Sequence, residues 1–211
     1  MSKRSAQRAE EQVQRAVVFD LGGVLVHWDP RLLYRKLLPS EDAVERFLAT
    51  VCTSEWNERM DAGLALHDGI AERIERFPHH APLIRAYGER FGEMMLPMHS
   101  SIALAQELGA RGVGLYALSN WAAETFTATR HLFPFLDAFD GLVISGQIGI
   151  AKPDPRIFSH LLDTHRLEAR DLLFVDDRAR NVEAARAAGI EGVLFESSAG
   201  LRAELVSRGL L

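Results

Sequence analysis

The chain has a single cysteine among 211 residues, Cys52, so it cannot form an intramolecular disulfide. This excludes the class of small secreted domains held together by disulfides, and it predicts a thiol kept reduced in the cytoplasm. No apolar stretch is long enough to span a bilayer. The first residues, 1–14, form a polar arm without the apolar core of a signal peptide. We therefore expect a cytoplasmic protein with no membrane partner.

An excess of positive charge is also missing. Lys and Arg total 24 against 29 Asp and Glu, a formal net charge of -5, which gives no electrostatic reason to bind nucleic acid. The 8 histidines show no metal-ligand spacing. A Gly-x-Ser-x-Gly elbow is absent, which disfavours serine hydrolase chemistry. What remains is a chain with 47% hydrophobic residues, long enough for one α/β domain with a small insertion.

Short apolar runs bounded by turn residues recur along the chain, with helical patterns between them. Strands that alternate with helices indicate a parallel sheet covered on both faces. The sequence therefore predicts an α/β fold with a doubly wound, Rossmann-like sheet. The predicted strands are residues 15–20, 112–118, 139–145, 171–176 and 191–195.

Residues 30–97 break this alternation. They contain helical patterns punctuated by proline and glycine, and no convincing strand. We interpret this block as an all-helical cap inserted into an α/β core made of residues 15–29 and 98–211.

Asp20 ends the first apolar run and is followed by Gly22 and Gly23. A carboxylate at the end of a parallel strand lies at the edge of the sheet where ligands bind in open α/β folds. The glycines let the backbone turn sharply and approach a bound group closely. An Asp in this position can act as a covalent nucleophile, although capping of the next helix is an ordinary alternative.

Three later segments add chemistry at other strand ends. Ser119 and Asn120 follow the second strand and can hydrogen-bond phosphate oxygens without adding charge. Lys152 precedes Pro153, and a fixed ammonium suits a phosphoryl group. Asp176 and Asp177 end the fourth strand, where two acids repel each other unless a cation such as Mg²⁺ joins them. Each segment alone also fits a helix cap, a solvated lysine or a surface acid pair.

Taken in order over residues 15–196, the four segments resemble the haloacid dehalogenase-like superfamily of phosphohydrolases. The Gly-Gly after the aspartate most resembles a bacterial subgroup that includes a sugar-1-phosphate phosphatase. The resemblance implies hydrolysis of a small phosphorylated metabolite through an aspartyl-phosphate. It assigns the nucleophile to Asp20, phosphate binding to Ser119, Asn120 and Lys152, and Mg²⁺ ligation to Asp20, the Gly22 carbonyl, Asp176 and Asp177.

One position departs from the family pattern. Most phosphatases of the superfamily carry a general acid two residues after the nucleophile, and this chain has Gly22 there. A metal-bound water, His27, Glu58, Asp61 or His67 could replace that acid. The 2-haloacid dehalogenases also lack it, but they lack the paired acids that this chain keeps, so the phosphatase is preferred. The alternatives are a metal-free dehalogenase and a catalytically weak family member that binds a ligand or a protein partner.

The resemblance also implies that the cap covers the active site and selects the substrate. Trp56, Arg59 and Asp61 are the candidates for side chains that face it. Trp56 fits the interior of the cap better than a substrate contact, and Arg59 and Asp61 fit a solvated helix end better. Trp121, next to the second motif, is a candidate for the pocket wall. We expect a monomer or a homodimer.

Overall fold

The computed structural model describes residues 16–211, so the predicted polar arm, residues 1–14, lies outside the described residues. Five parallel strands form the central sheet in the order β5-β4-β1-β6-β7, and β2 and β3 form a separate antiparallel pair. The strands are β1 (Ala16–Phe19), β2 (Val26–Trp28), β3 (Met95–Pro97), β4 (Gly114–Ser119), β5 (Gly141–Ile144), β6 (Leu172–Asp176) and β7 (Glu191–Leu194).

Helices cover both faces of the sheet and fill the segment between β2 and β3. The α-helices are α1 (Arg31–Tyr34), α2 (Glu41–Thr50), α3 (Ser54–Asp61), α4 (Leu66–Arg76), α5 (Ala81–Glu89), α6 (His99–Ala110), α7 (Ala123–Thr129), α8 (Ser145–Ile148), α9 (Pro155–His165), α10 (Ala179–Ala187) and α11 (Ser198–Ser207). Across residues 16–211, each helix is too short or too polar to cross a bilayer.

Strand β1 lies at the centre of the sheet, and its four residues are buried. Phe19 is in register with Ala117 of β4 and Val175 of β6. The chain therefore leaves β1 beside the carboxyl ends of both neighbouring strands, where the backbone N–H of Asp20 donates to the Val175 carbonyl at 2.8 Å. The predicted doubly wound parallel sheet is confirmed.

Alternate residues of β1 face two apolar clusters. Val17 and Phe19 belong to one cluster, and Ala16 and Val18 belong to the other, which also contains side chains of α9 and β6. Both faces of the sheet are thus dry, which explains why the strands are continuous apolar runs. The first cluster extends without a break into the helical segment, where it includes Trp56 and other buried side chains.

The helical segment begins and ends on the β2–β3 pair. Trp28 is in register with Met95, so the two ends of the segment lie side by side. Strand β3 falls inside residues 30–97, for which no strand was predicted. Its three residues are too few to show a periodic pattern, and its pairing partner is distant in sequence.

Candidate active site

Asp20 lies directly after β1, and 6% of its surface is exposed. The Leu21 N–H donates to its Oδ1 at 2.6 Å, which fixes the orientation of the carboxylate. Burial raises the pKa of Asp20 to about 7, because the charged form loses its hydration. The ammonium of Lys152 opposes this shift, and the charges of Asp176 and Asp177 add to it.

Lys152 places its ammonium group between the two acidic strand ends. The Nζ atom donates to Asp176 Oδ2 at 2.7 Å and to the Leu118 carbonyl at 2.7 Å. It lies 3.0 Å from Asp20 Oδ2. The side chain is fully buried, so these carboxylates carry the compensating charge for an ammonium group removed from water.

Asn120 positions the loop that carries Lys152. Its Nδ2 donates to the Lys152 carbonyl at 2.9 Å, and its Oδ1 accepts from the Lys152 N–H at 2.8 Å. The amide of Asn120 also lines the cavity described below. A side chain expected to contact phosphate therefore also holds the lysine loop against the end of β4.

The acidic pair has one buried and one more accessible member. Asp176 is fully buried and accepts from the Arg178 N–H at 2.8 Å and from Asn181 Nδ2 at 3.0 Å. Asp177 is more exposed, and burial together with the Asp176 charge raises its pKa. Oxygen atoms of Asp20, Asp176 and Asp177 lie within 4.8 Å of one another.

This cluster has the chemistry of a site for a hard cation. Three carboxylates in close proximity repel one another when ionised, and a divalent cation removes that repulsion. Oxygen ligands from one or two carboxylates plus substrate phosphate are the usual environment of Mg²⁺ in proteins. The residues present therefore fit a magnesium ion.

The two glycines after Asp20 have different surroundings. Gly23 has φ of 75°, and a Cβ atom there would lie 2.6 Å from Cγ of Asp177. Glycine at this position lets the acidic pair approach the first loop. Among the described residues, a Cβ at Gly22 would meet nothing within 4 Å, because this position opens into the cavity.

A cavity of about 320 Å³ opens above the strand ends. The core contributes Asp20, Ser119 and Asp177 to its lining. The Ser119 hydroxyl is buried and has no hydrogen-bond partner among the described residues. The lining residues are Asp20, Gly22, Gly23, Val26, His27, Trp28, Ser54, Asn57, Glu58, Asp61, Phe91, Met95, Ser119, Asn120, Trp121, Asp177, Arg178 and Asn181.

Trp56 and Arg59, predicted to face substrate, have partners within the helical segment instead. Trp56 is 1% exposed, and its indole N–H donates to the Gly69 carbonyl at 3.0 Å. Arg59 points to Glu72 and makes two hydrogen bonds to its carboxylate, at 2.7 and 2.9 Å. Both residues lie on α3, whose cavity-lining residues are Ser54, Asn57, Glu58 and Asp61. We therefore correct the prediction and retain neither Trp56 nor Arg59 as a substrate contact.

The four side chains considered as replacements for the missing acid lie at two different places in the structure. His27, Glu58 and Asp61 line the cavity, whereas His67 lies in a groove on α4. Asp61 is 8% exposed, and Asn57 Nδ2 donates to its Oδ2 at 2.8 Å.

Asn57 was not singled out in the sequence. An Asn four residues before an Asp on one helix face is a recognisable pair.

The chain is similar to several known proteins. A family model described as a haloacid dehalogenase-like hydrolase matches residues 14–189. The sesquiterpene phosphatase astK of Aspergillus oryzae is 29% identical over 192 residues, which cover 90% of this chain and 94% of that protein. The phosphoglycolate phosphatase of Rhodospirillum rubrum is 30% identical over 197 residues, or 86% of this chain and 79% of that protein.

A solved structure shares the fold. An enzyme from Bacteroides thetaiotaomicron, in complex with magnesium and inorganic phosphate, superimposes with a TM-score of 0.67. The two chains are 19% identical, and the match covers 86% of this chain and 94% of the other.

Proposed function

The chain belongs to the haloacid dehalogenase-like hydrolases, and from this membership we propose that it is a Mg²⁺-dependent phosphatase that hydrolyses small phosphate monoesters through an aspartyl-phosphate. One observation carries the proposal: Asp20, Asp176 and Asp177 converge within 4.8 Å at the edge of the sheet. The phosphatases astK and phosphoglycolate phosphatase among its relatives support the same reaction class.

Asp20 would be the nucleophile. Its carboxylate lies on the cavity wall, oriented by the Leu21 N–H. Attack on phosphorus forms the bond between the Asp20 carboxylate and the phosphoryl group and breaks the ester bond to the leaving alcohol. Water then attacks the phosphorus of the aspartyl-phosphate, which releases phosphate and restores Asp20.

Other side chains of the site would stabilise the negative charge that spreads over the phosphoryl oxygens during transfer. Ser119 offers a hydroxyl without another partner among the described residues. The Lys152 ammonium lies 3.0 Å from Asp20 Oδ2, so a positive charge is held beside the reacting carboxylate. Asp20, the Gly22 carbonyl, Asp176 and Asp177 would hold Mg²⁺, which when bound supplies positive charge to the phosphate oxygens.

Two classes of small phosphate ester fit the cavity. Polar groups of α3, namely Ser54 and Asn57, favour a hydroxylated alcohol such as that of a sugar phosphate. The apolar part of the cavity wall favours a phosphate ester with a hydrocarbon portion. The sesquiterpene phosphatase among the relatives supports the same choice. The apolar lining side chains are Val26, Trp28, Phe91, Met95 and Trp121.

The acidic pair favours the phosphatase over the metal-free dehalogenase. Attack of Asp20 on a carbon that bears a halide needs no cation, and a second and third carboxylate beside the nucleophile would repel a haloacid. The buried free thiol of Cys52 supports a cytoplasmic location, which stays part of the proposal.

The test is a panel of sugar phosphates, phosphoglycolate and prenyl phosphates, assayed for phosphate release with Mg²⁺ and with EDTA. Chloride release from 2-chloropropionate is measured in parallel. We expect phosphate release that EDTA abolishes and Mg²⁺ restores, and no chloride. The variant Asp20→Asn, which removes the nucleophile at nearly constant shape, should remain folded and inactive. Full activity in EDTA together with chloride release would move the assignment to the dehalogenase.

A further inference from the structure

Cleavage of the phosphate ester requires a proton for the leaving oxygen. An alkyl alcohol is a poor leaving group as an alkoxide, so a positioned acid accelerates its departure, by roughly 10²–10⁴-fold in typical cases. Gly22, two residues after the nucleophile, has no side chain to provide it. A replacement must therefore come from another part of the cavity wall.

Asp61 is a carboxyl group that the helical segment contributes to the cavity wall. It is the last residue of α3, and it lines the same cavity as Asp20 and Ser119. Asn57 Nδ2 donates to its Oδ2 at 2.8 Å, and Tyr87 Oη donates to Asn57 Oδ1 at 2.5 Å. This chain of hydrogen bonds fixes the side chain at the wall.

The surroundings of Asp61 favour a carboxyl group that exchanges its proton near neutral pH. Burial raises the pKa of Asp61 to about 7, and the Glu58 charge acts in the same direction. The backbone N–H of Ala122, the charge of Arg178 and the Asn57 side chain oppose this shift. Both the protonated and the ionised form are then available, as an acid that must later act as a base requires.

The other two candidates in the cavity have different surroundings. Glu58 is exposed, and its Oε1 accepts from Arg178 Nη1 at 3.2 Å and from Arg180 Nη2 at 3.1 Å. Two guanidinium groups thus compensate the charge of Glu58 and hydrogen-bond its Oε1 atom. His27 is exposed to solvent at the rim.

We propose that Asp61 is the general acid and base of the reaction, supplied from the helical segment in place of a side chain at position 22. The proposal rests on the phosphatase function proposed above. In the first step, the Asp61 carboxyl proton passes to the leaving oxygen as the ester bond breaks, which yields the neutral alcohol and ionised Asp61. In the second step, Asp61 accepts a proton from the water that attacks the aspartyl-phosphate, and phosphate leaves with Asp20 and Asp61 restored.

The experiment compares leaving groups. Wild type, Asp61→Asn and Glu58→Gln are assayed for kcat/KM on a series of aryl and alkyl phosphates of increasing leaving-group pKa. Glu58→Gln is the matched control, because it makes the same carboxylate-to-amide change on the same helix and in the same cavity. Thermal unfolding and circular dichroism of each variant report whether it is folded.

If Asp61 is the acid, wild type shows a shallow dependence of rate on leaving-group pKa. Asp61→Asn then shows a steep one, with a loss of roughly 10²–10⁴-fold on alkyl phosphates and a much smaller loss on aryl phosphates. Glu58→Gln keeps the shallow dependence of wild type. A purely structural role of Asp61 would lower all rates by one common factor.

Phosphate release by wild type tests the proposed phosphatase independently of Asp61. Release with a steep leaving-group dependence in wild type would overturn the assignment of Asp61 and leave the phosphatase intact, and this measurement needs no variant. An equal dependence of rate on leaving-group pKa in wild type and Asp61→Asn would also overturn the assignment of Asp61 and leave the phosphatase intact.

Discussion

At the scale of single residues, the site depends on charges that are buried together. The Lys152 ammonium compensates the charges of Asp20 and Asp176. Its Nζ atom lies 3.0 Å from Asp20 Oδ2 and 2.7 Å from Asp176 Oδ2. Breaking such a cluster is costly because the charges left behind have no water to solvate them.

Replacing Lys152 should therefore destabilise the protein strongly. We expect Lys152→Ala to lower the free energy of unfolding by about 3–5 kcal/mol, measured by urea denaturation at pH 7. Lys36→Ala is the control, because Lys36 pairs with Glu93 on the exposed surface, where an ion pair contributes about 0–1 kcal/mol. Equal small losses for both variants would contradict the buried cluster.

The burial of Asp61 gives a pH-dependent prediction with a defined sign. Its folded-state pKa, about 7, lies above the ordinary pKa of an aspartic acid, 3.8. The protonated form is thus favoured in the folded protein. The raised pKa of Asp61 therefore adds to the free energy of unfolding. This contribution is fully present below about pH 4 and is lost as pH rises through 7.

The variant Asp61→Asn cannot ionise and should escape this loss. Relative to wild type, its free energy of unfolding should rise between pH 4 and 8, by up to about 4 kcal/mol. Urea denaturation of both proteins across this range measures the difference. A difference that stays constant with pH would mean that Asp61 is ionised at neutral pH and is not the acid proposed here.

The residues at strand ends could be predicted from the sequence because a parallel sheet brings its carboxyl ends to one edge. Asp20, Asp176 and Asp177 meet there as expected. The choice among residues of the helical segment could not be predicted. Which side of α3 faces the cavity depends on packing, and that packing turns Arg59 to Glu72.

At the scale of elements, the contact of α3 with α8 and the loop after β4 positions the wall of the cavity. Ser145, at the start of α8, donates its hydroxyl to the Asp61 carbonyl at 2.5 Å and accepts from the Trp121 N–H at 3.0 Å. The hydroxyl is buried and joins the end of α3 to the loop after β4.

Removing this hydroxyl leaves a buried carbonyl and a buried N–H without their partner. Ser145→Ala should lower the free energy of unfolding by about 1–3 kcal/mol, a range set by the desolvation of unpaired groups. Thr127→Ala is the matched control, since its exposed hydroxyl bonds only within α7, and it should change stability by less than about 0.5 kcal/mol. The two variants are compared by thermal and urea unfolding, and similar effects would contradict the role given to Ser145.

The elements themselves were predictable to different degrees. The five parallel strands lie within two residues of their predicted bounds, because short apolar runs flanked by glycine and polar residues are distinctive. Strand β3 was missed because its three residues gain their strand conformation from β2. The helices of residues 31–89 were predicted, but their packing against one face of the sheet was not.

At the scale of the whole molecule, the proposed metal site should be linked to stability. A cation that binds the folded carboxylate cluster and not the unfolded chain raises the melting temperature as its concentration increases. At pH 7.5, we expect Mg²⁺ to raise the melting temperature of wild type in a saturable manner, with little effect on Asp177→Asn. Differential scanning fluorimetry with Mg²⁺ titration measures both, and equal shifts in the two proteins would place Mg²⁺ elsewhere.

The central claim is that the phosphoryl group passes through Asp20 on its way to water. The stereochemical course at phosphorus tests this directly, with an isotopically chiral thiophosphate ester of the best substrate hydrolysed in labelled water. Transfer to Asp20 and then to water involves two in-line displacements, so we predict net retention of configuration. Net inversion would show a single direct attack by water and would contradict the account.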